Sequence, residues 1–231
     1  MPAIRPIHGC CRRCATATCL KALACLAYML QRKRTLALTT PAKLGICMKT
    51  TVQTPPEIRQ RIWTELGRAT QDRHHAWRTP ALATIGQDGI PNARTVVLRE
   101  TDANLAQLRF FTDGRSLKVA ELAAQPCALV VFWSKRLSWQ LRARVAISTH
   151  ATGPVVEAVW DRVSQSAAAG DYLSACAPGT ALVAPKDANL SNEHHLVVMS
   201  AQVQEIDWLE LGKGGHRRAR FSNETWEWLT P

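Results

Sequence analysis

Two cations and a hydroxyl fall within four residues of the stretch FFTDGRSLKVAEL, Phe110–Leu122: Arg115, Ser116 and Lys118. The segment begins as an apolar strand and ends with helical apolar spacing. Gly114 gives the backbone freedom to turn, and Ser116 suits the N-cap of the helix that follows. The first N–H groups of such a helix have no internal partner. A helix start of this kind favours anions, and Arg115 and Lys118 would bring positive charge to the same place. That chemistry suits a phosphate. The same residues also fit a solvated basic turn with an ordinary serine cap, and both readings stand at this point.

Two further constellations bear on the choice. In RTVVLR, Arg94 and Arg99 flank an apolar run, and their spacing puts them on opposite faces of a strand. In SWQLRARVAIS, Trp139, Leu141, Ala143, Val145 and Ile147 share one face, while Gln140, Arg142 and Arg144 share the other. That polar row fits either the solvent face of a barrel or the lining of a ligand cleft. Other residues read as structural. Trp139 and Trp160 are expected to pack, since large aromatics dominate burial. Cys127, in an apolar strand, is expected to be buried, and Cys176 to lie in a loop. His194 and His195 are adjacent and would point to opposite faces of a strand, so they are not taken as a metal pair. No Ser-His-Asp or paired-carboxylate arrangement stands out.

The elements that must position these residues follow from period and punctuation. Pro55-Pro56 and the spacing of Ile58, Ile62, Leu66 and Ala69 predict a helix over 56–70. Apolar runs at Ala81–Ile85 and Arg94–Leu98 around Gln87-Asp88-Gly89 predict a hairpin. Strands are expected at Leu108–Thr112, Cys127–Trp133 and 138–148, with a short helix over 116–124. After Pro154, VVEAVWDRVSQSAAAG reads as a third helix, and 171–193 as a loop. Leu196–Leu211 reads as strand with a bend or break inside. A closing hairpin pairs His216–Phe221 with Thr225–Leu229. Six to eight strands with three inserted helices make the chain mainly β, and antiparallel strands in that number tend to close into a barrel.

The bulk composition bounds the function. The 231 residues are 46% hydrophobic and 20% charged, which fits a globular protein. The net charge of +11 is concentrated: residues 1–47 hold eight of the 29 Lys and Arg and no acidic residue, leaving 21 basic against 18 acidic residues in 48–231. Nucleic acid is therefore not expected as a partner. Six of eight cysteines also precede residue 48, and the Cys11–Cys14 pair has no second pair at zinc spacing, so no metal site is expected. Residues 1–47 read as a basic, cysteine-rich, disordered extension: sequence upstream of a true start at Met48, or alternatively a targeting peptide. A membrane segment is not expected, because ATATCLKALACLAYML is interrupted by Lys21 and falls short of the ~20 residues of a spanning helix. Residues 48–231 are read as one domain, located in the cytoplasm unless 1–47 direct it to an organelle.

RTVVLR, FFTDGRSLK followed by Gln125-Pro126, WQLRAR and the C-terminal GGHRRARF with WEWLTP occur in an order that resembles the pyridoxamine 5'-phosphate oxidase-like FMN-binding family, in particular its branch of poorly defined substrate. The resemblance covers roughly residues 55–231. It implies an FMN-binding split β-barrel, a homodimer with FMN at the subunit interface, and oxidoreductase chemistry on a small anionic substrate. By resemblance, Arg94 and Lys118 would hold the FMN phosphate, with Arg115 and Ser116 nearby. The backbone of Thr95, Val96, Val97 and Leu98 would pass the flavin ring. Phe111, Thr112, Gln140 and Arg220 would contact the cofactor, and Arg99, Arg217 and Arg218 the substrate.

Departures from the family pattern weaken the vitamin B6 assignment. The family's oxidases grip the substrate phosphate with a Tyr, an Arg and a Ser in a helix and its following loop. Here Trp160 stands near the Tyr position, and no Arg/Ser pair is found in register. The Arg-Leu-His motif reads His216-Arg217-Arg218, and His194-His195 stand where the family has Trp-Gly-Gly. Two alternatives accompany the reading: a flavin reductase using NADH or NADPH, and a non-catalytic FMN- or haem-binding protein with His194, His195 or His216 as haem ligands.

Overall fold

Prolines 55 and 56 open the first helix, α1 (Pro55–Gln71), where a missing N–H costs nothing. The backbone N–H of Thr54 donates to the Glu57 carboxylate at 2.7 Å. The face carrying Ile58, Ile62, Leu66 and Ala69 is buried, and α1 packs on β3 (Leu98–Asp102). The computed structural model describes residues 53–182, 190–223 and 225–231; the expectations for residues 1–47 lie outside them.

The remaining elements are β1 (Ala81–Ile85), β2 (Pro91–Thr95), β4 (Gln107–Asp113), α2 (Leu117–Ala124), β5 (Cys127–Ser134), β6 (Trp139–His150), α3 (Pro154–Val163), β7 (Leu196–Glu210), β8 (Arg217–Ser222) and β9 (Thr225–Leu229). Single 3₁₀ turns occupy Ala76–Arg78 and Ala167–Tyr172. The nine strands of the described residues join one antiparallel sheet in the order β2-β1-β5-β6-β7-β4-β3, with β8 on β7 and β9 on β8. The end strands β2 and β3 do not pair with each other, so the barrel is split rather than closed.

Four expectations change on this scaffold. RTVVLR is not one strand: β2 ends at Thr95 and pairs with β1, whereas β3 begins at Leu98 and pairs with β4. Val96 lies between them and donates its N–H to the Pro80 carbonyl at 3.0 Å, so Arg94 and Arg99 stand on different strands. The third helix stops at Val163, and the Ala167–Tyr172 turn is separate. The break expected inside 196–211 is a β-bulge: Val203 pairs with Val145 and Glu205 with Arg144, leaving Gln204 as the extra residue in one continuous strand. Cys127 is exposed, because it starts the edge of β5 on the outward side.

The barrel interior holds the main core, including Trp77, Leu82, Phe110, Phe132, Trp139 and Trp208. Trp139 is buried as expected and meets Trp208 edge to face at 5.2 Å. A smaller cluster of Val156, Val159, Tyr172, Leu196 and Val198 seals α3 onto the opposite face of β7. Phe110 therefore faces the barrel while Phe111 packs towards α3. Trp160 stacks on His194 with ring centres 4.2 Å apart.

Candidate functional site

The chain turns from β4 into α2 under close constraint. The N–H of Gly114 donates to the His195 carbonyl at 2.7 Å, and a side chain there would meet Val197 Cγ2 at 2.7 Å. Ser116 is the N-cap residue, but its hydroxyl donates backwards to the Asp113 carbonyl at 2.7 Å instead of capping the helix. That turn buries Ser116 and sets its Oγ 3.4 Å from Thr112 Oγ1. Lys118, the second residue of the helix, reaches back to donate to Thr112 Oγ1 at 2.9 Å. Among the described residues the ammonium has no carboxylate partner within ion-pair distance. Burial pushes its pKa down, and the neighbouring Arg94 pushes it further.

Arg94 comes from β2. Its guanidinium donates to Thr84 Oγ1 and, at 2.9 Å, to the carboxylate of Glu121 on α2. Glu121 also accepts from Thr84 Oγ1 at 2.6 Å and Asn92 Nδ2 at 2.8 Å. Burial acts to raise the Glu121 pKa, but the bonds from Thr84, Asn92 and Arg94 outweigh it and hold the carboxyl below its usual range. Thus Arg94, Thr112, Ser116 and Lys118 are brought together from three elements. Glu121, Thr84 and Asn92 were missed in the sequence, where a glutamate at a helical position reads as a solvated one.

Arg115 turns elsewhere. It forms a two-pronged ion pair with Asp113 and donates to the carbonyls of Ser174, Ala175 and Cys176. Burial would raise the Asp113 pKa, but the bonds from Arg115 win and lower it. This arginine ties the 174–176 loop to the start of α2.

Arg99 lines a second site, a cleft of about 380 Å³ shared with Arg78, Glu100, Phe111, Arg162 and Ser166. Its guanidinium lies 5.9 Å from the centre of the Phe111 ring, and its Nε is buried without a hydrogen-bond partner. Arg162 pairs with Glu100, which Arg109 also holds at 3.0 Å. Burial raises the pKa of Tyr172, against the opposing charge of Arg99. An Arg/Ser pair therefore does reach the cleft: Arg162 from the last turn of α3 and Ser166, just beyond its end, are four residues apart.

Of the other predicted residues, Gln140, Arg218 and Arg220 sit on the outer face of β6–β8, whereas Arg217 is on the barrel face at the start of β8, in the same alternation as buried Ala219 and Phe221. Arg218 grips Asp207 with two bonds, at 3.0 and 2.7 Å, and Arg142 shares that carboxylate. Arg217 pairs with Glu210 at 2.7 Å and lies over the Trp208 ring. Arg220 pairs with Glu227 at 3.1 Å. Gln140 is half-buried between Trp133 and Leu209. Phe110 of β4 registers with Met199, and Arg217 with Glu210, eleven residues further along β7. At ~3.3 Å per residue that is about 35 Å measured along the strand. Among the described residues no group of three or more His, Cys, Asp or Glu is placed to hold a metal, and no helix is long and apolar enough to cross a membrane.

The family model described as "Pyridoxamine 5'-phosphate oxidase, FMN-binding domain" matches residues 60–150. A pyridoxine/pyridoxamine 5'-phosphate oxidase of Thermosynechococcus vestitus is 51% identical over 61 residues, 26% of this chain and 28% of that protein. One from Myxococcus xanthus is 32% identical over 126 residues, 54% of this chain and 58% of that protein. The aligned stretches thus fall short of two thirds of these relatives. A solved pyridoxamine 5'-phosphate oxidase-related, FMN binding protein from Nostoc punctiforme has TM-score 0.60 at 22% identity, covering 78% of this chain and 99% of that one. PhzG from Burkholderia lata, solved with tetrahydrophenazine-1-carboxylic acid, has TM-score 0.58 at 19% identity, covering 78% and 95%. Both share the fold.

Proposed function

The chain, through residues 60–150, belongs to the pyridoxamine 5'-phosphate oxidase-like FMN-binding family, and from that premise we propose that it is an FMN-dependent oxidoreductase acting on a small anionic substrate. The observation that carries the cofactor is Lys118. A half-buried ammonium beside a guanidinium, with one threonine hydroxyl as its acceptor, is a site short of one anion. A phosphate supplies it, and the residues present fit that group. Arg94 and Lys118 would hold it, Thr112 would add a hydroxyl donor, and Ser116 and Arg115 nearby would keep the turn and the adjoining loop in place. When bound, the flavin supplies the hydride chemistry, and the protein supplies binding, orientation and charge.

The cleft of Arg99, Arg162 and Ser166 would take the anionic end of the substrate, with the unpartnered Nε of Arg99 as one donor. A B6 vitamer phosphate is the leading specific substrate. The distance along β7 between Arg99 and Arg217 favours a site completed across a homodimer, where Gln140, Arg217, Arg218 and Arg220 would come from the second copy. The backbone of residues 95–98, free to leave one strand pair for another, would pass the ring.

The test is an absorbance spectrum of the purified full chain with and without added FMN, beside an Arg94→Ala, Lys118→Ala double variant. A flavin spectrum in the parent that weakens in the variant is expected. No binding at excess FMN would reduce the family membership to a statement about fold. Steady reduction of bound flavin by NADH or NADPH would move the reading to a reductase.

A further inference from the structure

Glu121 has the most buried carboxylate side chain among the described residues that form ion pairs, at 1% exposure. It lies one turn after Lys118 on α2 yet accepts nothing from it. Its oxygens are filled instead by Thr84, Asn92 and Arg94, all from the β1–β2 hairpin. Arg94 Nη1 also bonds Thr84 Oγ1. Helix and hairpin are thereby locked together, and the guanidinium is held in one orientation. Arginine has five N–H donors, and the two bonds made here leave donors for a ligand. An arginine already ordered in this way gives up less freedom when an anion arrives. The carboxylate also offsets the repulsion between Arg94 and Lys118, since its charge opposes the effect of Arg94 on the ammonium.

We propose that Glu121 is the positioning residue of the phosphate clamp: by holding Arg94 from behind, it gives the site its preference for FMN over riboflavin. This rests on the FMN reading above. It predicts an effect confined to the ligand that carries a phosphate, which a loss of general stability would not produce.

The full chain and its Glu121→Gln and Thr84→Val variants are titrated with FMN and with riboflavin by flavin fluorescence, with thermal melting as the fold control. Glu121→Gln should weaken FMN binding about tenfold, the equivalent of one charge-assisted hydrogen bond, and leave riboflavin unchanged. Thr84→Val, which keeps the carboxylate, should cost FMN about threefold. In an Arg94→Ala background, Glu121→Gln should cost nothing more. An unchanged FMN constant, equal losses for both flavins, or additive losses with Arg94→Ala would overturn the proposal. If Glu121→Gln does not fold, Thr84→Val decides: an FMN-specific loss supports the role, and no loss overturns it. A parent that binds no FMN is a different result, which removes the cofactor reading and this role with it.

Discussion

The start of α2 and the outer face of β6–β8 are both rich in cations, yet they differ in how charge is balanced. On β6–β8 every arginine singled out has a carboxylate: on the outer face Asp207 serves Arg142 and Arg218 and Glu227 serves Arg220, and at the barrel end Glu210 serves Arg217. At the start of α2, Glu121 serves Arg94, and Lys118 is left with a threonine hydroxyl. Burial raises the cost of that imbalance, because the ammonium has lost water without gaining a carboxylate at ion-pair distance. A count of cations does not separate a binding site from a structural network; the count of charges left unmatched does.

The largest effect expected from this difference is at the clamp. Arg94→Ala with Lys118→Ala should weaken FMN binding about a thousandfold, as two charge-assisted contacts are lost, and a titration showing less than tenfold would erase the contrast. On the outer face the expected loss is in folding. Asp207→Ala leaves Arg142 and Arg218 facing each other and should cost about 2–3 kcal/mol, read from denaturant unfolding.

The two regions should also part with pH. Burial acts to raise the Asp207 pKa, but the bonds from Arg218 and Arg142 prevail and lower it. Its stabilising contribution is therefore full above its unfolded pKa of about 3.9 and is lost as pH falls through the lower folded value. The acid limb of the stability curve should flatten in Asp207→Ala. Lys118 gives a slope of the same sign at the alkaline end for the opposite reason: burial and Arg94 disfavour its charged form, so its folded pKa lies below its unfolded value of about 10.4. Between the two values the unfolded chain binds more protons, so stability gains with rising pH. FMN affinity should fall over the same range as the ammonium is lost, and Lys118→Gln should abolish that fall. The smallest effect is at Arg217→Ala, where a partly exposed pair with Glu210 should be worth about 1 kcal/mol or less in the same unfolding experiment.

Much of this architecture was legible before folding. The Pro55-Pro56 start, the Asp88-Gly89 turn with Gly89 at φ 78°, the period-2 pattern of β6 and the strand-turn-helix at Ser116 all depend on neighbouring residues. RTVVLR was misread because Val96 and Val97 suit a strand interior, and only competition between β1 and β4 for partners splits the run. Cys127 suits a buried position by residue type, but its place at the start of β5 leaves it exposed. Arg162 and Ser166 carried no signal in the chain until α3, packed on β7, brought Arg162 to Glu100 of β3.

The sequence by itself determined which residues could bind an anion, since donor chemistry belongs to the residue and strand or helix period to its neighbours. Only the tertiary structure decided which of those donors are spoken for. Arg94 meets Glu121 across 27 residues of chain, and Arg142 meets Asp207 across 65. Pairing at such separations is set by sheet register and burial, and among the described residues it leaves Lys118 without a carboxylate at ion-pair distance.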